Sequence, residues 1–185
     1  IEYPAPGAPQ AAQMAAQRLV PRVAGQDPVR GLDHGAWTVL MHMYPAADVP
    51  VFQLSIDITR DGPFHLGVGR ALAALRAEGV MIVGSGNVVH NLRRLDREAG
   101  ETDEATADWA NAFDRAAKQA IDAADWSALA AWERLTAGAT TAVPFPDHYF
   151  PLLYAAGAAQ AGEKPHHVFE GFHEGTLSMR CVQWG

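Results

Sequence analysis

The sequence has few of the residue patterns that identify common catalytic sites. Cys181 is the single cysteine among 185 residues, so an internal disulfide and a CxxC metal or redox pair are both excluded. A chain with so little cysteine is typical of a reducing, cytoplasmic compartment. No stretch has HExxH spacing, a GxGxxG or Walker-type loop, or a GxSxG turn. These absences disfavour a zinc peptidase of that type, a phosphate-binding loop and a typical serine hydrolase.

Charge and hydropathy disfavour two classes of partner. The formal net charge is −7 and the basic residues form no block, which argues against nucleic acid and against an anionic membrane. No apolar run is long enough to span a bilayer. The composition is that of a globular domain with its own core. Because Ile1 opens a proline-rich segment, we expect residues 1–185 to form a single domain that is incomplete at its N-terminus.

The apolar pattern predicts an α/β fold. Residues 63–79 have the pattern of a helix, with Pro63 in the first turn, leucines at helical spacing and Gly79 as the stop. The apolar run that follows, VMIVGSG, predicts an interior strand over residues 80–84. A second strand is predicted at VPVFQLSID. Strand, helix and strand in this order imply a parallel or mixed sheet flanked by helices.

The second half of the sequence is predicted to be helical before it ends in strands. From Asp103 to about Ala137 the pattern is helical, with aromatic residues as packing positions. PFPDHYFPLLYAAGAAQ predicts a proline-rich turn followed by another helix. HHVFEGFHEGTLSMRCVQW predicts two strands joined at a turn that contains glycine.

Histidines carry the candidate chemistry, and three of the eight occupy informative places, His34, His90 and His148. His90 lies in GSGNVVHNL, just past the carboxyl end of the predicted strand, where α/β sheets bind ligands. Imidazole titrates near neutral pH, so a histidine there suits proton transfer. The alternative interpretation is a histidine that bonds the loop backbone, and position alone leaves both open.

His148 and His34 each allow a functional and a structural interpretation. His148 lies in PFPDHYFPLL, where it could bind a metal while the neighbouring Asp147 carboxylate orients it. Without other information, a capping or surface role is favoured for it. His34 lies in LDHGAW, where Gly35 permits the close approach of a ligand. Its structural alternative is an incidental place beside Asp33, a candidate helix cap.

The remaining histidines receive structural interpretations. His42 is expected to be packed or at the surface edge of a helix, and His65 to be solvated in the first turn of a helix. His166 and His167 flank a strand start and are expected to have no metal-binding role. His173 lies in the turn before GTLSM and could line a site, but nothing in its pattern selects it.

Six segments of the sequence, taken in order, resemble one family. They are YPAPG, DHGAW, MYPAADVPVFQLSID, LGVGRALAALRAEGVMIVGSGNVVHNLR, PFPDHYFPLLYAAGAA and EGFHEGTLSM. Their order resembles that of the DOPA-type extradiol dioxygenases, which belong to the class III, protocatechuate-4,5-dioxygenase-like superfamily. The resemblance runs nearly from end to end. GSGNVVHNL and DHYFPLLYAAGA together are its most specific parts.

The resemblance implies a fold, a cofactor and a reaction. The fold would be a single α/β domain with a central mixed sheet, and a non-haem Fe(II) would open a catechol, a small-molecule substrate, with O2. Zn(II) can occupy the same pocket in crystals of relatives. His148 resembles a metal ligand of this family. His90 resembles the active-site histidine that acts as acid and base or lies near the metal, and it is counted as a ligand in some relatives. His34 resembles the histidine that contacts substrate or oxygen.

One departure from the family pattern concerns the metal site. The family takes two further metal-binding histidines from a GHGSP-like loop and an SAHW-like strand end, and neither motif occurs in this sequence. We therefore expect an N-terminal portion to be missing, and with it part of the metal site. Two alternatives stay open. One is a Zn-bearing relative with hydrolase or other activity, and the other is a non-catalytic fragment that has lost its metal.

Overall fold

The computed structural model describes residues 2–22, 25–99 and 106–185. The α-helices are α1 (Pro9–Leu19), α2 (His34–Met43), α3 (Gly62–Leu72), α4 (Asp108–Asp122), α5 (Trp126–Ala130), α6 (Ala139–Ala142) and α7 (Phe150–Ala158). The strands are β1 (His166–Phe169), β2 (Phe172–His173), β3 (Leu177–Ser178) and β4 (Cys181–Gln183). Within these ranges, none of the helices combines the length and apolar character that a membrane crossing needs.

The helices begin and end at the residues that local chemistry favours. Asp33 caps α2 by accepting a hydrogen bond from the backbone N–H of Ala36 at 3.1 Å, and Asp61 caps α3 in the same way. Pro63 lies in the first turn of α3, and a 3₁₀ turn over Ala73–Glu78 continues that helix to Gly79. Gly79 has a φ of 78°, the left-handed conformation that glycine adopts without strain. The predicted helix over residues 63–79 is therefore confirmed.

Helices α3 and α7 pack backbone against backbone at the centre of the fold. A Cβ added to Gly69 of α3 would lie 2.4 Å from the carbonyl oxygen of Tyr154. A Cβ added to Gly157 of α7 would lie 2.5 Å from the carbonyl oxygen of Leu66. Both glycines are thus required by the close approach of the two helices. The pair separates two buried clusters, because Leu66 faces one of them and Val68 the other.

The two clusters divide the apolar core between the halves of the chain. The larger one contains the buried faces of α4, α5, α6 and α7. The smaller one contains Ala15 and Leu19 of α1 together with Leu72 and Leu75. The predicted helical region after Asp103 is confirmed from Asp108 onward, whereas residues 103–105 lie outside the described part of the chain.

The strands that the described residues form are paired two by two and antiparallel. Strand β1 pairs with β4, and β2 pairs with β3. The α/β class and the single domain are confirmed, but these strands do not join into one central mixed sheet. The C-terminal segment, predicted as two strands, forms all four.

The predicted interior strand over residues 80–84 is wrong for the described chain. These residues are extended but belong to no ladder, and of the predicted strand at VPVFQLSID only Val51 is bridged, to Gly7. Side chains alternate along the run as in a strand: Ile82 packs on the smaller cluster, while Met81 is 63% exposed. The apolar pattern thus predicted the extended backbone, whereas a ladder also needs a neighbouring strand.

The close contact between α3 and α7 predicts opposite effects for two substitutions on one helix. Gly69→Ala should lower the free energy of unfolding by about 1–3 kcal/mol, because its methyl group would overlap the Tyr154 carbonyl. Gly67→Ala is the control, because a Cβ there meets nothing within 4 Å. It should raise the free energy of unfolding by roughly 0.5–1 kcal/mol through its helix preference. Urea unfolding measures both, and equal effects would contradict the packing described.

Candidate active site

His90 and His148 come together face to face. Their ring centroids are 3.6 Å apart and their ring planes are inclined by 6°. His90 lies on the loop after the extended residues 80–84, and His148 lies in the turn before α7. Two of the three histidines selected from the sequence therefore meet in space, although they come from distant segments.

The backbone of His90 is fixed on two sides. Its N–H donates to the carbonyl oxygen of Ala142 at 3.0 Å, and on the other side it forms an antiparallel bridge with Leu177 of β3. The preceding residues, Val88 and Val89, are buried in the larger cluster. Both contacts are made by the backbone of His90, and its ring takes part in neither.

Glycines allow the loop that carries His90 to reach the turn that carries His148. A Cβ added to Gly86 would lie 2.1 Å from the carbonyl oxygen of His148, and one added to Gly84 would lie 2.3 Å from that of Pro151. The same His148 carbonyl accepts a hydrogen bond from the N–H of Asn87 at 2.9 Å. The GSG sequence therefore serves a close backbone contact.

Burial and the paired ring both keep His90 neutral. Burial lowers the pKa of His90, the neighbouring His148 lowers it further, and the Asp147 carboxylate opposes them with a smaller effect. A neutral imidazole near neutral pH has one nitrogen free to accept a proton. Asp147 Oδ2 lies 3.7 Å from Nε2 of His148, and its side chain is half exposed, so this contact orients His148 only weakly.

The stacked arrangement bears on which ring could bind a metal. A metal bound to imidazole lies near the plane of the ring, in line with a nitrogen lone pair. Two planes inclined by only 6° and separated by a stacking distance do not meet within the site. One ion cannot therefore be held by both rings in this arrangement. In the described ranges, moreover, no three His, Cys, Asp or Glu side chains form a group that could hold a metal.

His34 lies near the same loop but not against the stacked pair. It is the exposed first residue of α2, and a Cβ added to the adjacent Gly35 would lie 3.8 Å from Ser85 Oγ. The start of α2 therefore borders the glycine loop, the segment of residues 84–86. Gln53 holds it there through a hydrogen bond from its Nε2 to Asp33 Oδ2 at 2.6 Å. No hydrogen bond or ring contact in the described structure links the His34 ring to the pair.

Comparisons with known proteins identify the family of this chain. Residues 1–180 match the family model described as the catalytic LigB subunit of aromatic ring-opening dioxygenase. The chain belongs to this family. It is therefore an extradiol ring-opening dioxygenase of the LigB family, whose members are metal-dependent, and the resemblance drawn from its motifs is confirmed.

Similar proteins include one from a bacterium and one from a plant. It is 42% identical over 189 residues to an Escherichia coli protein named 4,5-DOPA dioxygenase extradiol, covering 99% of this chain and 68% of that protein. It is 36% identical to a Beta vulgaris protein of the same name, covering 96% of this chain and 66% of that protein. The chain thus spans about two thirds of the length of these relatives.

A solved structure has the same fold. The crystal structure of an uncharacterised Escherichia coli K12 protein matches with a TM-score of 0.90 and 40% identity. The match covers 100% of this chain and 76% of that one.

His65 is a residue of the LigB chain whose place was predicted incorrectly. It was expected to be solvated, but it is fully buried and stacks on Phe150 at a centroid distance of 4.0 Å. Its Nδ1 lies 3.0 Å from the Tyr154 hydroxyl. Phe150 comes two residues after His148, so His65 supports the first turn of α7. The spacing of His65, Gly69 and Leu72 on one helix face was the signal that could have revealed this.

The other histidines have the structural places expected of them. His42 and His166 are exposed. Nε2 of His167 lies 2.8 Å from Asp122 Oδ1, and Nδ1 of His167 lies 3.1 Å from Arg180 Nη1, so His167 belongs to an ion network on the surface of α4.

The glycine loop predicts a further effect of a single methyl group. Gly86→Ala should push the loop away from the turn and separate the rings of His90 and His148, because its Cβ would overlap the His148 carbonyl. We expect a crystal structure of the variant to lack the hydrogen bond from Asn87 to His148, and the enzyme to lose most of its turnover. Gly67→Ala, with open space around it, is the control. It should keep the hydrogen bond from Asn87 to His148 and the turnover of the wild type. An unchanged ring stack in the Gly86→Ala protein would contradict this account.

Proposed function

We propose that the chain contributes His148 as a metal ligand and His90 as the proton-transferring group of a site that opens a DOPA-like catechol with O2. The observation that carries this proposal is the stacked pair, in which a single ion cannot be held by both rings. His148 is the one ligand that the proposal takes from the described residues.

The proposed substrate class rests on the relatives. Proteins from Escherichia coli and Beta vulgaris that share 42% and 36% identity with this chain are named for 4,5-DOPA. A catechol that bears a small polar side chain is therefore the substrate we propose.

Fe(II) is the metal we propose for activity. Imidazole binds both Fe(II) and Zn(II) well, but Zn(II) has no redox chemistry with which to activate O2. Zn(II) could occupy the same ligands without supporting ring opening. When bound, the metal lowers the pKa of a catechol hydroxyl, as it does for water.

His90 suits the transfer of the second catechol proton. Its pKa is lowered chiefly by burial, so the ring is neutral and can accept a proton at its free nitrogen. The backbone of His148 is held by a hydrogen bond from the N–H of Asn87, which helps to keep the His148 ring beside the His90 ring. We assign His34 to contact with substrate or O2, supported by its exposed place at the start of α2 beside the glycine loop.

The activity itself is tested by reconstitution. The intact enzyme, loaded anaerobically with Fe(II) and mixed with DOPA, should consume O2 and open the ring. The same protein loaded with Zn(II) should not. O2 uptake is measured with an electrode and the product by its absorbance. A protein that binds Fe(II) but consumes no O2 with any catechol would contradict the proposed function.

Removal of His148 should remove the metal. His148→Ala in the intact enzyme should abolish stable Fe(II) binding, because the loss of one of three protein ligands leaves too few to hold a labile ion. Iron content after gel filtration measures the effect. His166→Ala, at an exposed histidine on β1, is the matched control and should retain iron. Equal iron content in both variants would show that His148 is not a ligand.

Removal of His90 should slow the reaction without removing the metal. General acid–base groups contribute about 10²- to 10⁴-fold, and His90→Ala should lower kcat on that order while iron content stays near that of the wild type. His90→Gln should recover little, because an amide does not titrate near neutral pH. Iron content and kcat are measured on one preparation. If His90→Ala is iron-free and regains turnover with added Fe(II), His90 is a ligand instead.

A further inference from the structure

The short strand β3 lies beside the His90 loop and contacts it through backbone hydrogen bonding and through the side chain of Asn87. The N–H of Ser178 donates to the carbonyl oxygen of Val89 at 3.1 Å. The side-chain amide of Asn87 donates to the carbonyl oxygen of Ser178 at 2.9 Å. Leu177 forms the antiparallel bridge with His90. The position of the catalytic loop therefore depends on the position of β3.

A strand of two residues is not stable by itself. Such a strand has too few ladder hydrogen bonds to be stable without support from elsewhere. On its far edge β3 pairs with the equally short β2. The support must come from side chains that reach β3 from the core.

Asp114 of α4 supplies that support. Its Oδ1 accepts a hydrogen bond from Ser178 Oγ at 2.6 Å and another from Arg180 Nε at 3.0 Å, while its Oδ2 pairs with Arg180 Nη2. Ser178 is 1% exposed and Asp114 is 5% exposed, so these are charge-assisted bonds shielded from water. The carboxylate therefore fixes the residue that bonds the His90 loop.

The rest of the network holds Arg180 still and balances its charge. Nη1 of Arg180 donates to Glu170 Oε2 at 3.0 Å and lies 3.1 Å from His167 Nδ1. Lys118 binds the same Glu170 at 2.8 Å. The guanidinium thus has partners on both sides, and its side chain is nearly all buried. A buried pair with its hydrogen bonds satisfied is a rigid connection.

Helix α4, which carries Asp114, is anchored in the larger core cluster. Its neighbours Phe113, Ala117 and Ile121 have no solvent exposure and pack within that cluster. The carboxylate is therefore carried by one of the best-anchored elements of the chain.

We propose that Asp114 and Ser178 are positioning residues that place the His90 ring for proton transfer. Asp114 acts through Ser178 and β3, and it touches neither substrate nor metal. The inference rests on the proposed role of His90 in the reaction. A displacement of a catalytic group by about 1 Å can cost on the order of 10²-fold in rate, so a loosened β3 should be visible in turnover.

Ser178→Ala is the test, because it removes one hydroxyl and leaves the buried ion pair of Asp114 and Arg180 intact. Turnover should fall about 10- to 100-fold in the Fe(II)-loaded enzyme, while KM for DOPA and iron content change little. Ser127→Ala is the matched control. It removes a hydroxyl that donates to Asp125 Oδ1 at the same 2.6 Å distance on the exposed N-terminus of α5. Its kcat should equal that of the wild type.

Amide hydrogen exchange provides a readout that does not depend on activity. In Ser178→Ala the amides of residues 178 and 90 should exchange faster than in the wild type, and in Ser127→Ala they should not. Wild-type kcat in Ser178→Ala, or an equal loss in both variants, would overturn the positioning role. If the wild-type enzyme opens no catechol, the proposed function fails, and the exchange rates alone then decide whether Ser178 holds the His90 loop.

Discussion

The close backbone contact between the chain from His148 through α7 and two other segments, made possible by four glycines, is the constraint on which the rest of the structure depends. Gly86 and Gly84 contact the carbonyl groups of His148 and Pro151, while Gly69 and Gly157 join α3 to α7. Each added Cβ would lie 2.1 to 2.5 Å from a carbonyl oxygen, and backbone atoms cannot move aside as a flexible side chain can. The chain from His148 through α7 is thus enclosed by backbone on two sides.

This enclosure explains how a site can be built from loops and still be well ordered. Catalytic residues are often on loops, but the loops must be held by a rigid frame. Here His148 belongs to the enclosed stretch, and His90 belongs to the loop that encloses it. Buried groups complete the frame from opposite sides: His65 stacks on Phe150 beneath α7, and Asp114 bonds Ser178 behind the His90 loop.

Local patterns predicted the helices well, and motif resemblance selected His90 and His148, which lie together in the structure. Proline and glycine positions gave the bounds of α3, because these residues act through their own backbone geometry. The burial of His65 was missed because a lone polar residue in a first turn is usually solvated, and only the helix opposite it makes it part of the core. The strand over residues 80–84 was wrongly predicted for a related reason, since pairing depends on a second segment.

The face-to-face contact of His90 and His148 could not be derived from sequence either. Their selection rested on the resemblance, whereas their contact depends on how two distant segments pack together, with Gly84 and Gly86 against the turn that carries His148. The 6° angle between their rings, which excludes one ion shared by both, is not encoded in any spacing of the sequence.

The buried imidazole of His65 links proton uptake to the stability of the core. Burial lowers the pKa of His65, with the backbone carbonyls of Arg60 and Asp57 opposing, so the native chain holds this ring in its neutral form. The unfolded chain binds a proton there near pH 6.5, and the native chain only at lower pH. Above about pH 6.5 His65 adds no pH dependence to the free energy of unfolding. As the pH falls below about 6.5, the unfolded chain binds a proton at His65 that the folded chain does not bind, so the free energy of unfolding decreases. Mild acid therefore lowers the stability of the folded chain through His65, a residue of the junction between α3 and α7.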